Sequence, residues 1–160
     1  QYATIMAALA APLSRGTVTI SSADTDDLPI VDPKWLTDPT DQEVAIAAYK
    51  RLRQAFASKA MAAGLADPVE YFPGPKVTTD AQILETIRKT LHTVYHASGT
   101  CKMGKKDDPT AVVDSAGRVF GTEGLRVVDA SMFALLPPGH PQSTVYMLAE
   151  KIAAEIIAGQ

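Results

Sequence analysis

Apolar and polar positions are patterned along the chain in ways that predict its elements. An apolar, strand-like run from Tyr2 to Ala11 leads through a tight Ser14-Arg15-Gly16 turn into the alternating Thr17-Val18-Thr19-Ile20, which reads as a second strand. Asp24 to Pro33 is rich in turn residues, with Pro29-Ile30-Val31-Asp32 as a short edge strand. Thr40-Asp41-Gln42-Glu43 has the form of a capping box, and a helix is expected from there to about Ala60. Val44, Ala48, Leu52, Ala55 and Phe56 would form its buried face. Gly64 and Pro68 close that region, and Tyr71-Phe72-Pro73-Gly74-Pro75 is an apolar loop. Thr79-Asp80-Ala81-Gln82 repeats the capping pattern before a helix to about Leu91 that buries Ile83, Leu84, Ile87 and Leu91.

Beyond His92 the texture changes. Ala111-Val112-Val113-Asp114 and Leu125-Arg126-Val127-Val128-Asp129 are β-branched runs, separated by Gly117, Gly121 and Gly124, and they read as strands and turns. Two prolines keep Leu135-Leu136-Pro137-Pro138-Gly139 out of regular structure. A final helix is predicted from about Gln142 to Ala158, with Val145, Leu148, Ala149, Ile152, Ala153 and Ile156 at helical spacing. The pattern as a whole is that of a chain mixing helices and strands, α+β or α/β.

Composition narrows the classes. With 46% hydrophobic and 21% charged residues in 160, the chain can form one modest core. A net charge of −3 argues against nucleic acid and anionic membrane as partners. No apolar run reaches the roughly 18 residues of a membrane span. A single cysteine, Cys101, excludes an internal disulfide, and the absence of asparagine excludes N-linked glycosylation within these residues.

The chemistry concentrates in two segments: Tyr95-His96-Ala97-Ser98-Gly99-Thr100-Cys101-Lys102-Met103-Gly104 and Pro138-Gly139-His140-Pro141-Gln142-Ser143-Thr144. Each holds a histidine in a Gly- or Pro-rich turn, and the second leads directly into a helix. Imidazole moves protons near neutral pH, and a helix N-terminus favours negative charge. The combination suggests a redox site in which a proton leaves the substrate while a hydride passes to a cofactor that becomes anionic. Taken singly, His96 reads more readily as a satisfied buried histidine, His140 as a surface loop residue and Asp129 as a turn or cap residue, and Ser143 is compatible with an ordinary N-cap. His92 stands four residues before His96, but no third ligand accompanies them and no metal site is expected. Cys101 reads as a buried structural thiol, and Ser98 lacks the G-x-S-x-G setting of a hydrolase nucleophile.

These two segments, with Val112-Val113-Asp114, Arg118-Val119-Phe120-Gly121 and Leu125 to Ser131, resemble the C-terminal signature of the glucose–methanol–choline (GMC) family of FAD-dependent oxidoreductases. Pro12 to Ile20, Pro29 to Pro33 and Leu36-Thr37-Asp38-Pro39 extend the resemblance over most of the chain. It implies that residues 1–95 belong to a substrate-binding domain of antiparallel sheet plus helices. Residues 96–160 would return to complete a Rossmann-like FAD-binding domain. It implies FAD as cofactor and a small-molecule alcohol as substrate, aryl alcohols being nearest in character. His96 would be the base that takes the alcohol proton, and His140 would hydrogen-bond the hydroxyl. Asp129 and Ala130 would lie near the flavin diphosphate or ribityl chain. Pro141, Gln142, Ser143 and Thr144, at the head of the last helix, would face the flavin pyrimidine edge.

The G-x-G-x-x-G dinucleotide fingerprint does not occur here. The chain also opens without methionine inside an apolar run, so the expectation is a C-terminal piece whose FAD-binding N-terminal portion lies elsewhere. Three functional readings follow: part of an alcohol oxidase or dehydrogenase, part of a non-redox lyase or cyclase on the same FAD scaffold, or a catalytically silent module. Localisation is left open, secretion entering only as a habit of the family.

Overall fold

The computed structural model describes residues 2–159, an α+β arrangement of one two-stranded antiparallel sheet, four α-helices and a 3₁₀ turn. Two compact units are formed. One comprises the described residues up to Ser21 together with Leu28–Thr93, and the other Ser22–Asp27 with the residues from Val94 onward. Among the described residues no helix is long and apolar enough to cross a membrane.

In the first unit, β1 (Thr17–Thr19) pairs with β2 (Ile30–Asp32) in the register Thr17 to Asp32, Val18 to Val31 and Thr19 to Ile30. Gly16 lies where the chains close up: a Cβ there would sit 2.4 Å from the Asp32 carbonyl oxygen, so only glycine fits. The strand expected over Tyr2 to Ala11 does not form. A strand needs a hydrogen-bonded neighbour, and no described residue pairs with this segment.

The helix α1 (Pro39–Phe56) begins two residues earlier than the capping box suggests. Asp38 is the N-cap, accepting from the Thr40 amide, and Pro39 takes the first helical position, where a missing N–H costs nothing. The helix also stops short of Ala60. Ser58 caps a separate short helix, α2 (Lys59–Ala62), by accepting from the Met61 amide. Its buried face is centred on Asp41 and Ala45; Ala48, Leu52, Ala55 and Phe56 are half-buried, whereas Val44 is exposed. The second capping box holds in full: Thr79 and Gln82 cap α3 (Asp80–Thr90) reciprocally, and α3 packs on α1 with Ile83 fully buried. Arg53 on α1 secures the intervening loop, pairing with Glu70 at 2.7 Å and donating to the Val77 carbonyl. Burial first, then the Glu70 carboxylate, push the neighbouring Tyr49 hydroxyl up to about 12.

Asp41 fastens the N-terminal segment to α1. It is only 3% exposed and accepts from the Leu13 amide (2.8 Å), the Ser14 amide (2.7 Å) and the Ser14 hydroxyl (2.5 Å). Burial alone would raise its pKa. The three donors, with the charge of Arg15, outweigh burial and hold the carboxyl below its ordinary 3.8. A depressed carboxylate pKa contributes stability that is complete above the unfolded value and drains away as pH falls through the folded one. Asp41→Ala should therefore cost about 2 kcal/mol at neutral pH, because it leaves three part-buried donors without their charged acceptor. Urea midpoints measured from pH 7 down to pH 3 should show wild type losing its advantage over the variant only below about pH 4.

In the second unit, α4 (Gln142–Ile157) lays Leu148 and Ile152 against Val113, Met132 and Phe133. Val145 and Ala149 continue this face half-buried, but Ala153 and Ile156 are exposed. The strands expected at 111–114 and 125–129 reduce to isolated bridges, Val113 with Met103 and Val119, and Arg118 with Arg126. Turns at Gly117, Gly121 and Gly124, all at positive φ, interrupt the backbone too often for a ladder to extend. Asp129 likewise does not end a strand. It caps a 3₁₀ turn, η1 (Ala130–Met132), its carboxylate accepting from the Ser131 amide at 2.7 Å. Residues 135–139 have no regular structure, as their prolines require.

Candidate functional site

Both candidate histidines are carried on segments fixed to η1. On one side Gly99, Cys101 and Met103 donate their amides to the carbonyls of Ala130, Ser131 and Met132 at 3.1, 2.8 and 2.9 Å. Those bonds pin the segment that follows His96. On the other side Met132 and Phe133 pack against Leu148 and Ile152 of α4, whose head follows His140 and Pro141. The rings meet with His140 Nδ1 3.2 Å from His96 Nε2, centroids 5.0 Å apart and planes at 85°. One of the two nitrogens carries the proton of this hydrogen bond and the other accepts it.

The pair stands at an open recess of about 510 Å³, lined also by Tyr95, Ala97, Ala130, Pro141, Gln142, Val145 and Tyr146. Five of the residues singled out in the sequence therefore converge: His96, His140, Ala130, Pro141 and Gln142. Asp129 is not among the lining residues, its carboxylate being used to cap η1. Ser143 and Thr144 occupy the first turn of α4 and do not line the recess either. Ser143 does not cap the helix: the N-cap is Pro141 and no side chain caps that end. The first-turn amides of α4 therefore present the positive end of the helix dipole without a side-chain acceptor.

Tyr146 and Val145 went unremarked as site residues in the sequence. Tyr146 follows Gln142 by four residues, so both fall on one helical face; that spacing was the available signal. Tyr95 is a further addition. Its φ of 62° lies in the left-handed region that a bulky residue adopts at a cost of roughly 1–3 kcal/mol, and it sets the direction in which the chain enters His96. His92 does not share a helical face with His96, since α3 ends at Thr90 and Leu91 is extended. Cys101 is half-buried rather than buried.

The chain's similarity to known proteins bears on the same segments. Residues 12–149 match the model of the GMC oxidoreductase family. The chain belongs to the GMC oxidoreductases. It is 56% identical over 155 residues to patulin synthase of Aspergillus clavatus, a match covering 97% of this chain and 24% of that protein. Among solved structures, an FAD-dependent oxidoreductase from Chaetomium thermophilum superposes with a TM-score of 0.82 at 34% identity, covering 91% of this chain and 25% of that one. A fungal aryl-alcohol oxidase superposes with a TM-score of 0.77 at 32% identity, covering 94% and 24%. The chain thus spans about a quarter of the length of the GMC relatives it matches. FAD is the cofactor of these GMC enzymes.

The loop preceding η1 is built around Gly117, whose φ is 75°. A Cβ there would stand 2.7 Å from the Val127 carbonyl oxygen, and the Gly117 carbonyl accepts the Val127 amide at 2.9 Å. Gly117→Ala should push the 125–132 segment off its seat and cost about 2 kcal/mol or more. A thermal melt should show the loss. The same variant should also perturb chemical shifts of both histidine rings, because η1 carries both.

Proposed function

We propose that this chain is the catalytic C-terminal portion of an FAD-dependent alcohol oxidoreductase. In this reading residues 1–95 belong to its substrate-binding portion and 96–160 complete its FAD-binding domain. The observation that carries the proposal is the 3.2 Å approach of His96 Nε2 and His140 Nδ1 beside the uncapped head of α4. The donor set fits the cofactor: an amide-lined helix end suits a group that gains negative charge, and two imidazoles suit the proton that must leave the alcohol. Pro141, Gln142, Ser143 and Thr144 would hold the flavin at that helix end, with Asp129 and Ala130 offering backbone contacts nearby. FAD, when bound, supplies the hydride acceptor.

The residues of this chain do the rest. For His96 to act as base, Nε2 must be bare, so the shared proton sits on His140 Nδ1. An alcohol oxygen placed about 2.8 Å from each nitrogen accepts from His140 Nδ1–H and donates its own proton to His96 Nε2. Such an oxygen replaces the direct histidine–histidine bond, both rings turning toward it. As the C–H bond breaks, the hydroxyl proton passes to His96 Nε2, and His140 supports the developing alkoxide. Tyr95 and Tyr146 offer aromatic walls suited to an aryl or other apolar alcohol. The partner this reading requires is the FAD-binding N-terminal portion of the same enzyme.

His96→Ala in the flavin-loaded protein should slow anaerobic flavin reduction by roughly 10²–10⁴-fold while leaving FAD content near normal. Reduction at close to the wild-type rate would remove His96 from the role of base. The wild-type rate should fall on acidification, because a protonated Nε2 cannot accept the alcohol proton. His140→Asn should retain more activity than His140→Ala, since an amide still donates to the alcohol oxygen. The same pair could serve a lyase or cyclase by acid–base chemistry alone, and flavin bleaching by an alcohol without oxygen separates that alternative from oxidation.

A further inference from the structure

We propose that the His96–His140 pair is also a two-nitrogen site for a borderline divalent transition metal, copper(II) or zinc(II), and that metal bound there excludes the alcohol. Two imidazole nitrogens each about 2.05 Å from one ion lie about 2.9 Å apart at a right angle and about 3.3 Å apart at a tetrahedral one. His96 Nε2 and His140 Nδ1 stand 3.2 Å apart, inside that interval. The approach therefore suits a chelate once the shared proton is lost and each ring turns to bring its lone pair about 40° off the nitrogen–nitrogen line. The perpendicular ring planes favour this, because they let two in-plane lone pairs converge on one point without the rings colliding.

Among the described residues no three or more histidine, cysteine or carboxylate groups are placed to hold one metal ion, so the pair would supply both protein ligands. The ion would keep open positions facing the recess, filled by water. Imidazole nitrogen suits copper and zinc, and copper should bind the more tightly. Nothing here resembles a closed structural centre, so the metal is an exchangeable occupant of the site and not a fixture of the fold. The exclusion of alcohol rests on the reading of His96 as base, since the ion takes the lone pair that would accept the proton. Binding of the metal does not rest on that reading.

The test uses copper(II) alone and zinc(II) alone, titrated into the purified flavin-loaded protein near neutral pH. One equivalent of copper should give an electron paramagnetic resonance spectrum with superhyperfine splitting from two imidazole nitrogens. Zinc should displace it. His140→Asn should weaken binding at least about tenfold, the cost seen even for partners one shell further out. His92→Ala and Cys101→Ser should leave it unchanged, which disposes of the chain's other histidine and its thiol. A one-nitrogen spectrum, or binding that survives His140→Asn but not His92→Ala or Cys101→Ser, would overturn the site. Metal that binds through both nitrogens yet leaves alcohol-driven flavin reduction untouched would overturn the exclusion, and with it the base assignment, while the chelate stood.

Discussion

The short 3₁₀ turn at Ala130–Met132 is the constraint on which the candidate site depends. Its three carbonyls accept the amides of Gly99, Cys101 and Met103, and Met132, fully buried, lies in the cluster that anchors α4. One element thereby fixes both arms that carry histidines. Sequence places those residues 44 positions apart, and it is the hydrogen-bonded carbonyls on one side and apolar packing on the other that bring them to contact distance. The Asp129 cap keeps this turn in shape. Its carboxylate contributes by closing the turn's own backbone, so the turn is braced from within.

Helices with a strong local signature were the most legible part of the chain. Thr79 and Gln82 carry a reciprocal cap that needs no tertiary context, and α3 begins where that motif puts it. At α1 two start signals overlap. Asp38-Pro39 prevails over Thr40-Glu43 because proline fixes φ for the first helical position and Asp38 can accept from the Thr40 amide. Thr17–Thr19 and Ile30–Asp32 pair where the alternation put them, but the strands read in the second unit were the least legible. Val112-Val113 and Val127-Val128 have the side chains of a ladder, but β-branched composition reports half-burial and not a paired backbone. Glycine turns every few residues leave room only for single bridges.

Within the site, the histidines and the head of α4 could be named from sequence because their residue types have few competing uses in such turns. What could not be read was orientation. Asp129 has the right chemistry for a ligand contact, yet the nearest unsatisfied donor is its own turn's amide, and local bonds form first. Tyr95 and Tyr146 were hidden for the opposite reason. Aromatic residues at such places read as packing, and only the left-handed backbone at one and the helical phase of the other bring them to the recess.

The two arms are unequal in length. His140 stands two residues before the first residue of a sixteen-residue helix whose inner face is locked in the core. His96 stands three residues before the first pinned amide, at Gly99, on a stretch with no regular structure. One ring is thus mounted on the scaffold and the other on a short tether. Whatever enters between them must part the direct ring–ring bond, and the helix supplies the frame against which an incoming molecule is aligned. Substitutions among residues 95–99 should therefore act through the aim of the His96 ring, and substitutions along α4 through the frame that ring faces.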